Sequence, residues 1–248
     1  MSKKLVLVLL LTLMLPGALL ADTYMKQRTH TDAVVIMGQT QPAKDSVEDV
    51  WIKSGMVNTR SGSQGSLLRL DQKKLYSLNH AAKTYTEQSL NFGKMMNDAG
   101  MTAEQQAMLK KFAGSMLKTS VAVKDTGETK KIGKWNCRKY VQTIKSGAGP
   151  ITAEIWTTTD IKADYGQLAE WQAALRSIQP GLSDQYAALS QELKKMNGVP
   201  VLTVSTAKIM GASVRTVTEL LDFKTGTAPA GTFELPQGYN RKSCNCPD

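Results

Sequence analysis

Leu67-Leu-Arg-Leu-Asp-Gln-Lys-Lys-Leu-Tyr-Ser-Leu-Asn-His-Ala-Ala-Lys-Thr-Tyr-Thr86 is the stretch whose reading decides the fold. Leu68 and Leu70 fall on one side of an extended chain, and Asp71 to Lys74 forms a tight polar turn. Tyr76 and Leu78 then resume the alternation before a second turn at Asn79 to Lys83. Apolar residues at a period of two between polar turns describe an antiparallel meander. A sheet of this kind with one greasy face needs a cover. Two segments with helical spacing, 91–118 and 160–197, are placed to supply it.

Working upstream, Val50-Trp51-Ile52 reads as a strand, with Gly55 as a bulge before Met56-Val57, and 61–65 as a flexible connection. Ala33-Val-Val-Ile-Met37 is either a first strand or the end of an N-terminal helix. Downstream, Thr102-Ala-Glu-Gln105 has capping-box spacing, and Met108, Phe112 and Met116 form an apolar stripe. Sheet signals resume at Val121 and Val123, break at a turn over Asp125 to Glu128, and continue through Trp135, Cys137 and Val141. A turn at Ser146 to Pro150 leads into Ile151 to Thr159. Segment 160–197 reads as a helical hairpin with Trp171 on its first stripe and Pro180-Gly181 at its turn. A last hairpin pairs Val199 to Ala207 with Val214 to Lys224.

Composition is that of a globular protein: 248 residues, 42% hydrophobic and 21% charged. Residues 1–21 read as a secretory signal, with Lys3 and Lys4 ahead of the apolar run Leu5 to Leu15 and a break at Pro16-Gly17. That run is too short to span a bilayer. Cleavage is expected after Ala21, with cleavage after Ala18 or none as alternatives. Residues 22–240 then form a single domain, and 241–248 a polar tail carrying a Cys-x-Cys. The formal charge of +10 falls to about +8 once Lys3 and Lys4 leave. Nucleic acid is disfavoured as a partner because the lysines read as spread along the chain rather than clustered with aromatics. Anionic lipid headgroups are the more natural attraction outside the cytoplasm, and a basic surface with no partner fits equally.

Two histidines leave little room for catalysis, and no Gly-x-Ser-x-Gly, phosphate loop or His-Glu-x-x-His occurs. No catalytic residue is assigned, and an enzyme is not expected; a thiol-redox activity through Cys244 and Cys246 ranks last. His80 reads as an exposed turn residue rather than a base. Cys137, Cys244 and Cys246 allow one disulfide, most simply from Cys137 to one of the tail pair, with the pairing open. The tail lacks further ligands for a metal, so neither metal nor cofactor is expected. The candidates for an apolar ligand wall are Trp51, Leu68, Leu70, Tyr76 and Leu78 from the sheet, with Met108, Phe112 and Met116 from the first helical segment. Trp156 and Trp171 complete the set, against a default in which such side chains simply fill a core.

Taken in order, the Trp51 strand, the meander ending in Lys83-Thr-Tyr85, Ile132-Gly-Lys-Trp-Asn-Cys-Arg-Lys-Tyr140, Glu154-Ile-Trp-Thr-Thr158 and Thr232-Phe-Glu-Leu-Pro-Gln-Gly-Tyr239 resemble a family of bacterial exported proteins. That family is similar to the LolA and LolB lipoprotein-carrier superfamily. The resemblance implies an α+β fold: a half-open, curved antiparallel β-barrel with helices covering its concave face. It further implies an apolar cavity and a periplasmic protein that carries or senses a lipid or an acylated protein. The long segment 160–197 and the Cys-x-Cys tail depart from those carriers. A structural or interaction protein of the envelope, without ligand, is the alternative.

Overall fold

A computed structural model describes residues 21–90, 100–108, 120–146, 149–162, 191–209 and 211–242, and strands run through most of those described residues. The N-terminal half contains β1 (Asp22–Thr31), β2 (Val34–Ile36), β3 (Gln39–Gln41), β4 (Lys44–Lys53), β5 (Met56–Ser61), β6 (Gln64–Arg69), β7 (Lys74–Asn79) and β8 (Thr84–Ser89). The C-terminal half contains β9 (Ser120–Ile132), β10 (Trp135–Ser146), β11 (Gly149–Thr158), β12 (Val199–Ile209), β13 (Ala212–Gly226) and β14 (Asn240–Arg241). Among the described residues, β2 and β3 pair with each other and the other twelve strands form one sheet. Its order is β14-β8-β7-β6-β5-β4-β1-β13-β12-β11-β10-β9.

The sheet joins two antiparallel meanders through β1, which pairs with β4 on one side and β13 on the other. β1 carries little strand signal of its own, because Asp-Thr-Tyr-Met-Lys-Gln-Arg-Thr-His-Thr offers few apolar residues to mark the period. Its neighbours make it a strand: Met25 faces Val50 and Phe223 across the two ladders, and a bulge at Lys26/Gln27 absorbs one extra residue of β13.

Register then sets what is buried. Thr23, Ile52, Val57, Leu68 and Leu75 are successive partners across β1, β4, β5, β6 and β7, so their side chains share a face. Ile52, Val57 and Leu68 enter a buried cluster that also holds Met25, Val50, Cys137, Trp156, Val199 and Leu220. On the opposite face Tyr24, Trp51, Asn58, Leu67 and Tyr76 form the next row. Leu67 and Leu68 are consecutive, point to opposite faces, and are 1% and 2% exposed. The meander is therefore covered on both sides, each buried leucine contributing roughly 1.5–3 kcal/mol.

The second cover is the chain after β13. Phe233, Leu235 and Tyr239 pack against Leu67, Tyr76, Leu78 and Tyr85. Hydrogen bonds hold this strap: Ala228 N donates to Asp22 Oδ2, Asn58 Nδ2 to the Thr232 carbonyl and Arg69 Nη1 to the Phe233 carbonyl. It ends as β14, which runs parallel to β8.

The expected α+β half-barrel roofed by helices is thus corrected. The sheet is open, with no ladder joining β9 to β8 or β14 among the described residues, and strand dominates. Described helix is confined to 103–108 and 191–193. The first carries the expected capping box: Gln105 N donates to Thr102 Oγ1 and Thr102 N to Gln105 Oε1. The remainder of both helical expectations, including 109–119 and 163–190, lies outside the described residues. The physical reason is that the apolar face of the meander is matched by its own sheet on one side and by the strap on the other. Smaller corrections follow the same ladders. Gly55, at φ +71, turns the β4–β5 hairpin instead of bulging a strand. Asp125 to Glu128 is a bulged stretch inside β9, opposite Lys139, instead of a turn.

Candidate functional site

The β9–β10 hairpin concentrates charge. Thr129-Lys-Lys-Ile-Gly-Lys-Trp-Asn-Cys-Arg-Lys139 carries five cations and a tryptophan. Pairing places Cys137 opposite Lys130 on β9 and opposite Thr158 on β11, and Lys139 opposite Trp156. The Lys130 ammonium lies 4.0 Å from the centre of the Trp156 ring, with Lys139 5.7 Å from the same ring. Lys134 lies 5.2 Å from the Trp135 ring. Such cation–π contacts hold a lysine extended over an apolar surface while leaving its charge wet.

Beside this hairpin is an open cleft of about 540 Å³. Its buried floor is Cys137, Tyr140 and Thr157; exposed Lys130, Lys131, Arg138, Asn136 and Asn197 stand around it. The floor is fixed by hydrogen bonds. Thr157 Oγ1 donates to the Asn197 carbonyl, Thr158 Oγ1 to the Asn136 carbonyl, and Asn136 donates from both its backbone and side-chain nitrogens to Asp160 Oδ2.

The cations differ in how far they are compensated. Arg138 Nε reaches both carboxylate oxygens of Asp125 at 2.8 Å, which together with the Gly127 amide holds that carboxyl below its usual range. Lys139 pairs with Glu128 and Glu154. Among the described residues no carboxylate pairs with Lys130 or Lys131. Their charge is the uncommitted part of the site. Cys137 is a buried, unbridged thiol that donates to the Trp135 carbonyl, and burial pushes its pKa up. A thiol held in its neutral form is a poor nucleophile. Cys244 and Cys246 lie outside the described residues.

The residues expected to line one apolar wall are divided. Leu68 and Trp156 belong to the large cluster, and Leu70 packs on it. Tyr76 and Leu78 lie under the strap on the other face. The Trp51 ring lies tilted against Tyr24, with centroids 5.0 Å apart, on the Tyr76 side of the sheet. Met108 is 75% exposed, and Phe112, Met116 and Trp171 lie outside the described residues. What sequence reading missed is the basic hairpin itself. Five cations stand in these eleven residues, but the strand pattern there signals packing, and a count over the whole chain dilutes the lysines.

His30 bridges Asp32 and Asp45 on the exposed side of β1, but no group of three or more histidine, cysteine or acidic side chains is arranged to hold a metal among the described residues. No described helix is long and apolar enough to cross a membrane. A family model described as a domain of unknown function, DUF4412, matches residues 52–239. No curated protein matches the chain.

Proposed function

The chain belongs to the DUF4412 family, and from that premise we propose that it is an exported, non-enzymatic binding protein for anionic lipids of the cell envelope, engaging their headgroups at the β9–β11 cleft. The observation that carries this reading is the pair Lys130 and Lys131, without carboxylate partners among the described residues, at the rim of a cleft whose hydroxyl and amide groups are already oriented. Lys130 is anchored on Trp156, so its charge sits over an apolar surface. Cations at the rim of a polar cleft are what a headgroup phosphate demands, and Trp156 braces Lys130 from outside that cleft. Each lysine near an anionic surface contributes about 1 kcal/mol, so the pair with Lys134 gives reversible docking rather than permanent anchoring.

Cosedimentation of the purified protein with phosphatidylglycerol and with phosphatidylcholine vesicles tests this. The expected result is binding to the anionic vesicles alone, lost in the Lys130→Glu/Lys131→Glu double variant. Equal behaviour of variant and parent overturns it and favours a scaffold that docks on another envelope protein.

A further inference from the structure

The His80 ring is the one described side chain with a buried polar atom and no hydrogen-bond partner, at Nε2. Its other nitrogen, Nδ1, lies 2.9 Å from the Tyr239 hydroxyl, and the two rings meet edge to face at 5.9 Å. His80 follows β7 in the turn leading to β8, and Tyr239 is the last residue of the strap before β14. The contact therefore clamps the end of the C-terminal strap to the meander. Nε2 points at Gly65 of β6: a Cβ added there would stand 2.7 Å from it, so the absence of a side chain is what admits the ring.

We propose that His80 and Tyr239 form a pH-sensitive latch that holds the C-terminal strap over the outer face of β5–β8 and lets its end go on acidification. In the tautomer with its proton on Nδ1, the neutral imidazole donates to the Tyr239 hydroxyl and leaves Nε2 as a bare lone pair against Gly65. Protonation puts an N–H and half a unit charge on Nε2, where nothing accepts it. A buried donor of that kind without an acceptor is unfavourable. The groups facing the ring add to the effect: Arg60 from β5 brings a like charge, Tyr239 from the strap brings its hydroxyl to Nδ1 alone, and Gly65 from β6 has no side chain. Burial, then Arg60, lowers the pKa of His80 below its ordinary value of 6.5. The sign follows directly. With the strap open the ring titrates near 6.5, with it closed lower, so the open state binds more protons between the two values. Stability of the closed strap is full above pH 6.5 and is lost as pH falls through the lower, closed-state value.

Release would expose a defined surface. Beyond Tyr239 the strap end is held by Asn240 N to the Lys83 carbonyl and Lys242 N to the Tyr85 carbonyl, with Arg241 4.0 Å from Glu87. Beneath it lie Tyr76, Leu78 and Tyr85, an apolar strip next to an edge of the sheet.

Hydrogen exchange of the Asn240 and Lys242 amides, corrected for the intrinsic pH dependence of exchange, reads the latch directly. Protection at both is expected to be lost between pH 7.5 and pH 5, while the β1–β13 ladder keeps its protection. His80→Gln removes the titration, so its strap amides should show the same protection at both pH values. Loss of equal size in His80→Gln, or unchanged protection in the parent, overturns the proposal. Should the variant fail to fold, the parent's own imidazole titration by NMR decides. An inflection below 6.5 that the Tyr239 ring signals follow supports the latch; one at or above 6.5, or Tyr239 signals that ignore it, overturns it.

Discussion

The meander β5–β8 and the hairpin unit β9–β11 are built from the same antiparallel ladder, yet one is covered on both faces and the other carries an open cleft. In the meander, consecutive Leu67 and Leu68 are both buried, because the strap lies on one side and the main cluster on the other. In the hairpin unit the positions around Cys137 alternate with Asn136 and Arg138, which stay exposed, and β9 is a sheet edge. Cover, rather than strand propensity, separates the two. A sheet face that finds a partner becomes core, and one that presents cations to water is kept apart by their solvation.

That contrast can be broken by substitution. Leu68→Ala removes a side chain 2% exposed in the two-sided meander, and urea denaturation should show a loss of about 2–5 kcal/mol. Thr129→Ala, on the exposed rim of the cleft, should stay within about 0.5 kcal/mol; a comparable loss there would erase the difference between the regions. Gly198→Ala comes next. Its φ of +103° and a Cβ 2.4 Å from the Thr158 carbonyl demand a shift beside the cleft floor, costing about 1–3 kcal/mol and lowering the thermal midpoint. Tyr239→Phe leaves His80 Nδ1 without its partner, an effect of about 1 kcal/mol that should appear in local opening of the strap more than in global unfolding. Smallest for stability is Lys130→Glu/Lys131→Glu, expected to change the denaturation midpoint little while abolishing vesicle binding. That separation would sharpen the view of the hairpin as a surface for charge. Binding by the parent should also weaken steeply as salt rises, because exposed charges are screened over about 8 Å at physiological ionic strength.

Much of the ladder was legible in the chain. The turns after Leu70 and Asn79, the β12–β13 hairpin and the Thr102 capping box all follow from local chemistry, and the structure forms them. The candidate ligand wall was less legible. Period-two counting puts Leu68 and Leu70 together, but it cannot say that Tyr76 and Leu78 belong to the other face, since the phase between strands is set by hairpin register. Trp51 was misgrouped for the same reason: it shares a row with Tyr76, not with Leu68. His80 shows a further limit. As a turn residue beside Asn79 it looks exposed, yet it packs against Gly65 of β6 and against Tyr239 from 159 residues away.

By itself, the sequence determined most strands of the two meanders and several of their turns, because those depend on neighbours within a few positions. Tertiary structure alone decided that β1 is the seam of the sheet, that the strap rather than a helical roof covers the meander, and that Lys130 rests on Trp156. Each of these joins residues distant in the chain. Their energies come from surfaces that exist only once the ladder has set its register, so no local pattern encodes them.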